Sequence, residues 1–179
     1  YGGNEFNVWQ TLAAQGADIE AQDYPYIAFG LPGSPLPTIN SNSVIASLLY
    51  YTGVDIADVA PFGMRLTPGI ATLLGSGSGD TLVITGSFDT IVAGGGDDTL
   101  TGSTGTTTDR LFGGFGDDVF YWSPGFDIVH GGQPGLEYAS DGVDTIDFTG
   151  AGVVTLSANP HPVPHTTPDI IATHAGGTS

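Results

Sequence analysis

Cysteine is absent from this 179-residue chain, which excludes disulfides and thiol chemistry and leaves stabilisation to other means. Lysine is absent too, and two arginines face 19 acidic residues, for a formal net charge of −17. Nucleic acid is thereby excluded as a partner, because phosphate recognition needs clustered Lys or Arg. No apolar run reaches the roughly 18 residues of a membrane-crossing helix, so no transmembrane segment is expected. The N-terminus lacks both a Met and a basic stretch before an apolar core, so no cleavable signal peptide is visible. A chain opening at Tyr1-Gly2-Gly3 and stopping at Gly177-Thr178-Ser179 reads as a piece of a longer protein. Hydrophobic residues make up 40% of it, enough for a substantial core in one or two domains.

What the chain has instead is a period. Between Gly75 and Phe148 an acidic residue returns every nine residues, followed two places on by an apolar one: Asp80/Leu82, Asp89/Ile91, Asp98/Leu100, Asp109/Leu111, Asp118/Phe120 and Asp127/Val129. The best copies are Gly113-Gly114-Phe115-Gly116-Asp117-Asp118-Val119-Phe120-Tyr121 and Ala93-Gly94-Gly95-Gly96-Asp97-Asp98-Thr99-Leu100-Thr101. They follow G-G-x-G-x-D-x-U-x, a calcium-binding parallel β-helix repeat with six residues in a turn and three in a strand. Glycines let the turn adopt positive φ and bring carbonyls close to an ion. Calcium takes six to eight hard oxygens, with carboxylates supplying the charge. Two places past each Asp, the apolar side chain points inward, because successive strand residues alternate faces.

Two such units complete one coil, with a short strand on each of two facing sheets and a turn on each edge. Asp80, Asp98, Asp118 and, after an insertion, Asp144 then share one edge; Asp89, Asp109 and Asp127 share the other. Ligand candidates are these carboxylates together with the turn glycines Gly75, Gly77, Gly79, Gly86, Gly94, Gly96, Gly113, Gly114, Gly116 and Gly131. The register slips at 98–109 and 127–144, where residues 106–108 and 134–141 read as loops inserted at turns. Asp141 and Asp147 either join the calcium shell or face water. A solvated acidic surface or a Gly/Asp/Thr linker is the bland alternative, but a linker has no reason to keep apolar residues at a fixed offset from Asp.

These repeats, with the flanking Gly79-Asp80-Thr81-Leu82 and Val143-Asp144-Thr145-Ile146-Asp147-Phe148, resemble the repeats-in-toxin (RTX) family over about two fifths of the chain. The resemblance implies a calcium-binding β-roll exported by bacterial type I secretion, with its export signal further downstream. It is thinner at residues 84–92, whose one glycine is Gly86, and at 122–130, which holds only Gly125. Like charges about 4 Å apart cost roughly 4 kcal/mol at an effective dielectric near 20. Several such pairs rival a typical domain stability of about 5–15 kcal/mol, so calcium binding and folding are expected to be one event.

The first 74 residues read as a small α+β region. Asn4 is placed to cap a helix through Phe6, Val8, Trp9, Leu12 and Ala13, with Gly16 ending it. Residues 24–29 read as a short strand with Pro25 at its edge. A proline-containing loop leads to Asn40-Ser41-Asn42-Ser43 and a buried helix over 44–51, closed by Gly53. Residues 70–74 are expected to cover the open end of the roll. Asn40-Ser41-Asn42 also resembles the segment opening the catalytic helix of papain-like permuted peptidases and amidases, which puts Ser41 at the nucleophile position, where the helix dipole favours developing negative charge. A serine needs a base, and the histidines, His130, His161, His165 and His174, all lie in or after the repeats. Capping of the helix by Ser41 and Asn42 is the plainer reading.

Beyond Gly150, residues 153–156 read as a further strand and 159–168, with four prolines, as an extended loop. His161 and His165 sit in that loop as exposed residues rather than a metal pair. The expected organisation is thus an α+β region (1–74), a parallel β-roll of the right-handed β-helix type (75–158) and a Pro-rich extended segment (159–179). The expected function is that of a secreted, non-catalytic calcium-binding module that serves a larger extracellular protein and presents its N-terminal part to a protein or cell-surface partner. A calcium-dependent hydrolase using Ser41 is the alternative.

Overall fold

The computed structural model describes residues 4–28, 36–59, 69–85, 88–105, 108–124, 127–134, 142–151, 154–158 and 170–174. Gly86, Gly125, Asp141, His161 and His165 lie outside these residues. Helix α1 spans Asn4–Ala21, α2 Ser41–Tyr51 and the short α3 Ile56–Val59. Eight short strands follow: β1 Thr72–Leu74, β2 Thr81–Val83, β3 Thr90–Gly95, β4 Thr99–Thr101, β5 Arg110–Phe115, β6 Val119–Tyr121, β7 Ile128–His130 and β8 Thr145–Asp147. They alternate between two parallel four-stranded sheets, in the orders β1-β3-β5-β7 and β2-β4-β6-β8.

The period explains the register. In the first sheet Leu73, Ile91, Leu111 and Val129 stand side by side; in the second, Leu82, Leu100, Phe120 and Ile146 do. All of these except Ile146 belong to one core cluster, so the inward rows of the two sheets meet each other. Burying each such side chain contributes about 1.5–3 kcal/mol. The outward rows differ. Val83 and Tyr121 of the second sheet are exposed, whereas Leu74, Val92 and Phe112 of the first are buried with Ile19 of α1 and Ile39. The helices therefore cover the outer face of one sheet only, and the strands beneath them read as continuous apolar runs.

Helix α2 also closes one free edge of each sheet, at β1 and at β2. Leu74 N–H, which points away from β3, donates to Ser47 Oγ at 2.8 Å, and Leu74 O accepts from the Tyr51 hydroxyl at 3.4 Å. On the second sheet, Val83 N–H donates to the Tyr50 hydroxyl at 3.3 Å. An uncovered edge would expose unpaired backbone groups to other chains. Residues 70–74, expected as the cover, supply β1 itself, and α2 covers them.

Three local expectations are corrected. Gly16 does not end the first helix, which runs to Ala21, because Gly16 sits where the two helices meet: a methyl there would touch Leu48 at 4.0 Å. Glycine inside a helix costs about 0.5–1 kcal/mol, which burial of Ile19 offsets. The packed face is accordingly Leu12, Gly16 and Ile19, and Val8 and Trp9 are exposed. Of the strand expected over 24–29, the described residues 24–28 show an isolated antiparallel bridge between Ile27 and Ile39, and residue 29 lies outside them. Val154–Ala158 (β9) is a strand as expected, but it pairs antiparallel with Ile170–His174 (β10). Among the described residues no helix is long and apolar enough to cross a membrane.

Candidate functional site

The Asp residues gather on two rows of turns. In the first row, turns at 75–80, 93–98, 113–118 and the interrupted 131–132 with 142–144 lie one above the next. Asp80 N–H donates to Asp98 Oδ1 at 2.7 Å, Asp98 N–H to Asp118 Oδ1 at 2.9 Å and Asp118 N–H to Asp144 Oδ1 at 3.1 Å. Each carboxylate thus fixes the turn before it. A second ladder runs the other way: Asp117 N–H donates to Asp97 Oδ1 at 3.0 Å and Val143 N–H to Asp117 Oδ1 at 2.8 Å. Sequence reasoning missed Asp97 and Asp117, although the doubled Asp in the two best copies was the available signal.

Glycine is required where the turns touch. Gly114 and Gly116 have φ of 113° and 130°, and a Cβ on either would collide with the carbonyl of Gly94 or Gly96 in the turn below. At Gly113 and Gly131 a Cβ would instead run into the carboxylates of Asp118 and Asp144. The missing side chain is the space the carboxylate uses. Gly75, Gly77 and Gly79 lie in the first turn of this row, where Gln22 from the end of α1 packs on Gly77.

The second row joins Asp89, Asp109 and Asp127 through backbone bonds from Arg110 N–H to Asp89 O at 3.0 Å and from Ile128 N–H to Asp109 O at 2.8 Å. Ser103 N–H donates to Asp109 Oδ2 at 2.6 Å, and Ser123 Oγ donates to Asp127 Oδ2. A Cβ on Gly102 would lie 2.9 Å from Asp127 Oδ2 and 3.1 Å from Asp109 Oδ2, so carboxylates of successive turns converge beside this glycine. Gly102 and Ser123 also went unread in the sequence, because the two extra residues before Asp109 shift Gly102 out of the nine-residue register.

These rows are strained electrostatically. Asp98, Asp109 and Asp118 are buried. Asp98 Oδ2, Asp109 Oδ1 and Asp127 Oδ1 are buried without a hydrogen-bond partner, each a cost of about 1–3 kcal/mol or more. Burial, joined by the nearby Asp118, Asp80 and Asp97, pushes the Asp98 carboxyl up to about 7 against the opposing Asp80 N–H bond. Burial also raises Asp89 and Asp127, in both cases with Asp109 adding, while the Thr90 and Ser123 hydroxyls oppose. Among the described residues no three His, Cys, Asp or Glu side chains converge on one point. A cation held here would therefore combine carboxylates of neighbouring turns with turn carbonyls. Asp147 serves locally, accepting from Thr149 N–H at 2.7 Å.

Ser41 lies in the first turn of α2 and lines a cleft of about 390 Å3 with Ile19, Tyr24, Ile39, Val44 and Leu74. Among the described residues no imidazole or carboxylate hydrogen-bonds its hydroxyl. The cap of α2 is Asn40 rather than Ser41 or Asn42: Asn42 N–H donates to Asn40 Oδ1 at 2.8 Å, and Asn40 N–H to Ser43 Oγ at 3.2 Å. Gly53 ends the helix as expected, with φ of 78°, while Gly53 N–H donates to Tyr50 O and Val54 N–H to Leu49 O.

Compared with known protein families, curated proteins and solved structures, the chain matches none.

Proposed function

We propose that this chain is a calcium-binding module of the RTX kind, in which the two parallel sheets are the walls of a β-roll wound right-handedly, as parallel crossovers almost always are. The observation that carries the reading is the pair of carboxylate rows, in which Asp98 Oδ2, Asp109 Oδ1 and Asp127 Oδ1 are buried without hydrogen-bond donors while turn glycines let the carboxylates and carbonyls of successive turns approach one another. Carboxylates spaced by one turn, with carbonyls between them, match the hard oxygens that calcium prefers. Asp80, Asp98, Asp118 and Asp144 would hold ions along one edge, and Asp89, Asp109 and Asp127 along the other. Bound calcium supplies positive charge that cancels repulsion between successive turns.

In this reading the metal-free chain does not complete its fold, and calcium drives winding after export by type I secretion. The module then acts in the extracellular space as a structural and interaction part of a larger secreted protein, with the helical unit facing a protein or cell-surface partner. The strong net negative charge keeps the unwound chain soluble and extended. Circular dichroism tests this directly: chelator should abolish most of the β signal and millimolar calcium should restore it. An identical spectrum in both conditions would refute coupled folding.

A further inference from the structure

The helical unit enters the first glycine-rich turn. Tyr24, just after α1, donates its hydroxyl to Gly75 O at 3.1 Å and also reaches Val92 O at 3.2 Å. One proton thus faces two carbonyls from neighbouring strands, and a Cβ on Gly94 would collide with the same hydroxyl oxygen. Tyr51, the last residue of α2, donates to Leu74 O at 3.4 Å and lies near enough to the Asp80 carboxylate for its charge to hold the phenol proton on. Gln22 packs on Gly77, and its side-chain oxygen would lie 3.3 Å from a Cβ on Gly95. Three side chains from the helical unit therefore converge on the turn at 75–80 and its successor at 93–98, the first pair of the first carboxylate row. Tyr24 and Leu74 also form a wall of the cleft beside Ser41. Tyr24 thus lines the cleft and bonds the turn at once, and Leu74 leads directly into that turn.

We infer that the α1–α2 unit is a cation-gated cap, which docks and shapes the cleft beside Ser41 only when a divalent ion holds the turns at 75–80 and 93–98 together. The inference rests on the calcium reading above. Without an ion, repulsion between Asp80 and Asp98 spreads the two turns, Gly75 O and Val92 O separate, and Tyr24 loses its shared position between them. With an ion, Gly75 O and Val92 O stand together where Tyr24 reaches both, and Leu74 O stands where Tyr51 reaches it. Linkage makes the effect reciprocal: a docked helical unit raises the calcium affinity of the first turn by the factor that calcium raises docking.

Hydrogen exchange read by mass spectrometry on the whole chain, titrated with calcium alone, separates the two ideas. Peptides from α2 and from β5–β6 should both gain protection, with α2 following the turns at 75–98. Tyr24→Phe and Tyr51→Phe should each raise the calcium concentration for half-protection of α2 by about fivefold, as loss of one net hydrogen bond implies. The midpoint for β5–β6 should stay unchanged. If α2 is equally protected in chelator and in calcium while β5–β6 responds, the gated cap is wrong and the calcium reading stands. If both variants leave the α2 midpoint where it was, the tyrosines are not the coupling. If β5–β6 itself ignores calcium, the calcium reading fails and the gate falls with it.

Discussion

Replacing Asp98 with asparagine should change stability in opposite directions with and without calcium. The Asp98 side chain does two things: Oδ1 accepts the Asp80 N–H at 2.7 Å, and its charge sits buried near Asp80, Asp97 and Asp118. Asparagine keeps an acceptor oxygen for the Asp80 N–H and removes the charge; alanine removes both. In chelator, Asp98→Asn should therefore be more stable than the parent, and more stable than Asp98→Ala by about 1 kcal/mol, the net worth of the hydrogen bond to the part-buried Asp80 N–H. In saturating calcium the order should invert, with the parent above Asp98→Asn, because a charged ligand between two turns is gone. Excluded osmolytes such as trimethylamine oxide favour burial, so the metal-free fold can be titrated with them and followed by circular dichroism. The readouts are the osmolyte midpoint in chelator and the denaturant midpoint in calcium. An asparagine variant that needs more osmolyte than the parent would refute the claim that carboxylate repulsion holds the metal-free chain open.

Further outcomes follow from the same geometry. Asp98, Asp89 and Asp127 are raised by burial, Asp98 from 3.8 to about 7. A carboxyl with a folded value above its unfolded one gives stability that is complete below about pH 4 and lost as pH rises through about 7. In chelator, acidification from pH 8 to 5 should thus increase β signal, while calcium affinity falls across the same interval because protons compete; a loss of structure on acidification in chelator would contradict this. Gly114→Ala, at φ 113° and against Gly94 O, should cost well above the roughly 1–3 kcal/mol of backbone strain alone in calcium, whereas Gly53→Ala, in open space, should cost about 1–2 kcal/mol. Equal denaturant midpoints for the two would remove the argument for close stacking of turns. Ser47→Ala strips the acceptor from the buried Leu74 N–H and should lower stability by about 1–3 kcal/mol; a neutral result would show that α2 does not close that edge.

The parallel strands were legible because one chemical rule generates them. An apolar residue two places after each Asp put Leu82, Ile91, Leu100, Leu111 and Phe120 at fully buried positions, though Val129 is half-buried and Ile146 exposed, and the stretches expected as inserted loops fall mostly on residues 106–107 and 135–141, outside the described residues. Strand register could be read because a shift of one residue would turn every side chain to the opposite face. Other features had no local signal. Gly16 carries the mark of a helix end, yet it lies inside α1 facing Leu48 of α2, a contact between helices that its local sequence does not show. Val8 and Trp9 have helical spacing yet face water, since the helix turns inward the side at Gly16 and Ile19, Gly16 toward Leu48 of α2 and Ile19 toward Leu74, Val92 and Phe112 of the sheet. Tyr24 looked like a strand residue, and its actual partners, Gly75 and Val92, lie 51 and 68 positions away. Within the carboxylate rows, the Asp at each sixth position was legible, whereas Gly102 was hidden by the insertion before Asp109.

Diffraction from crystals grown in calcium, with the ions located by their anomalous signal, tests the account most directly. Ions should stand in two rows, one between successive members of Asp80, Asp98, Asp118 and Asp144, the other between Asp89, Asp109 and Asp127, each completed by turn carbonyls. Rows free of density at millimolar calcium, with those carboxylates bonded only to protein or water, would contradict it.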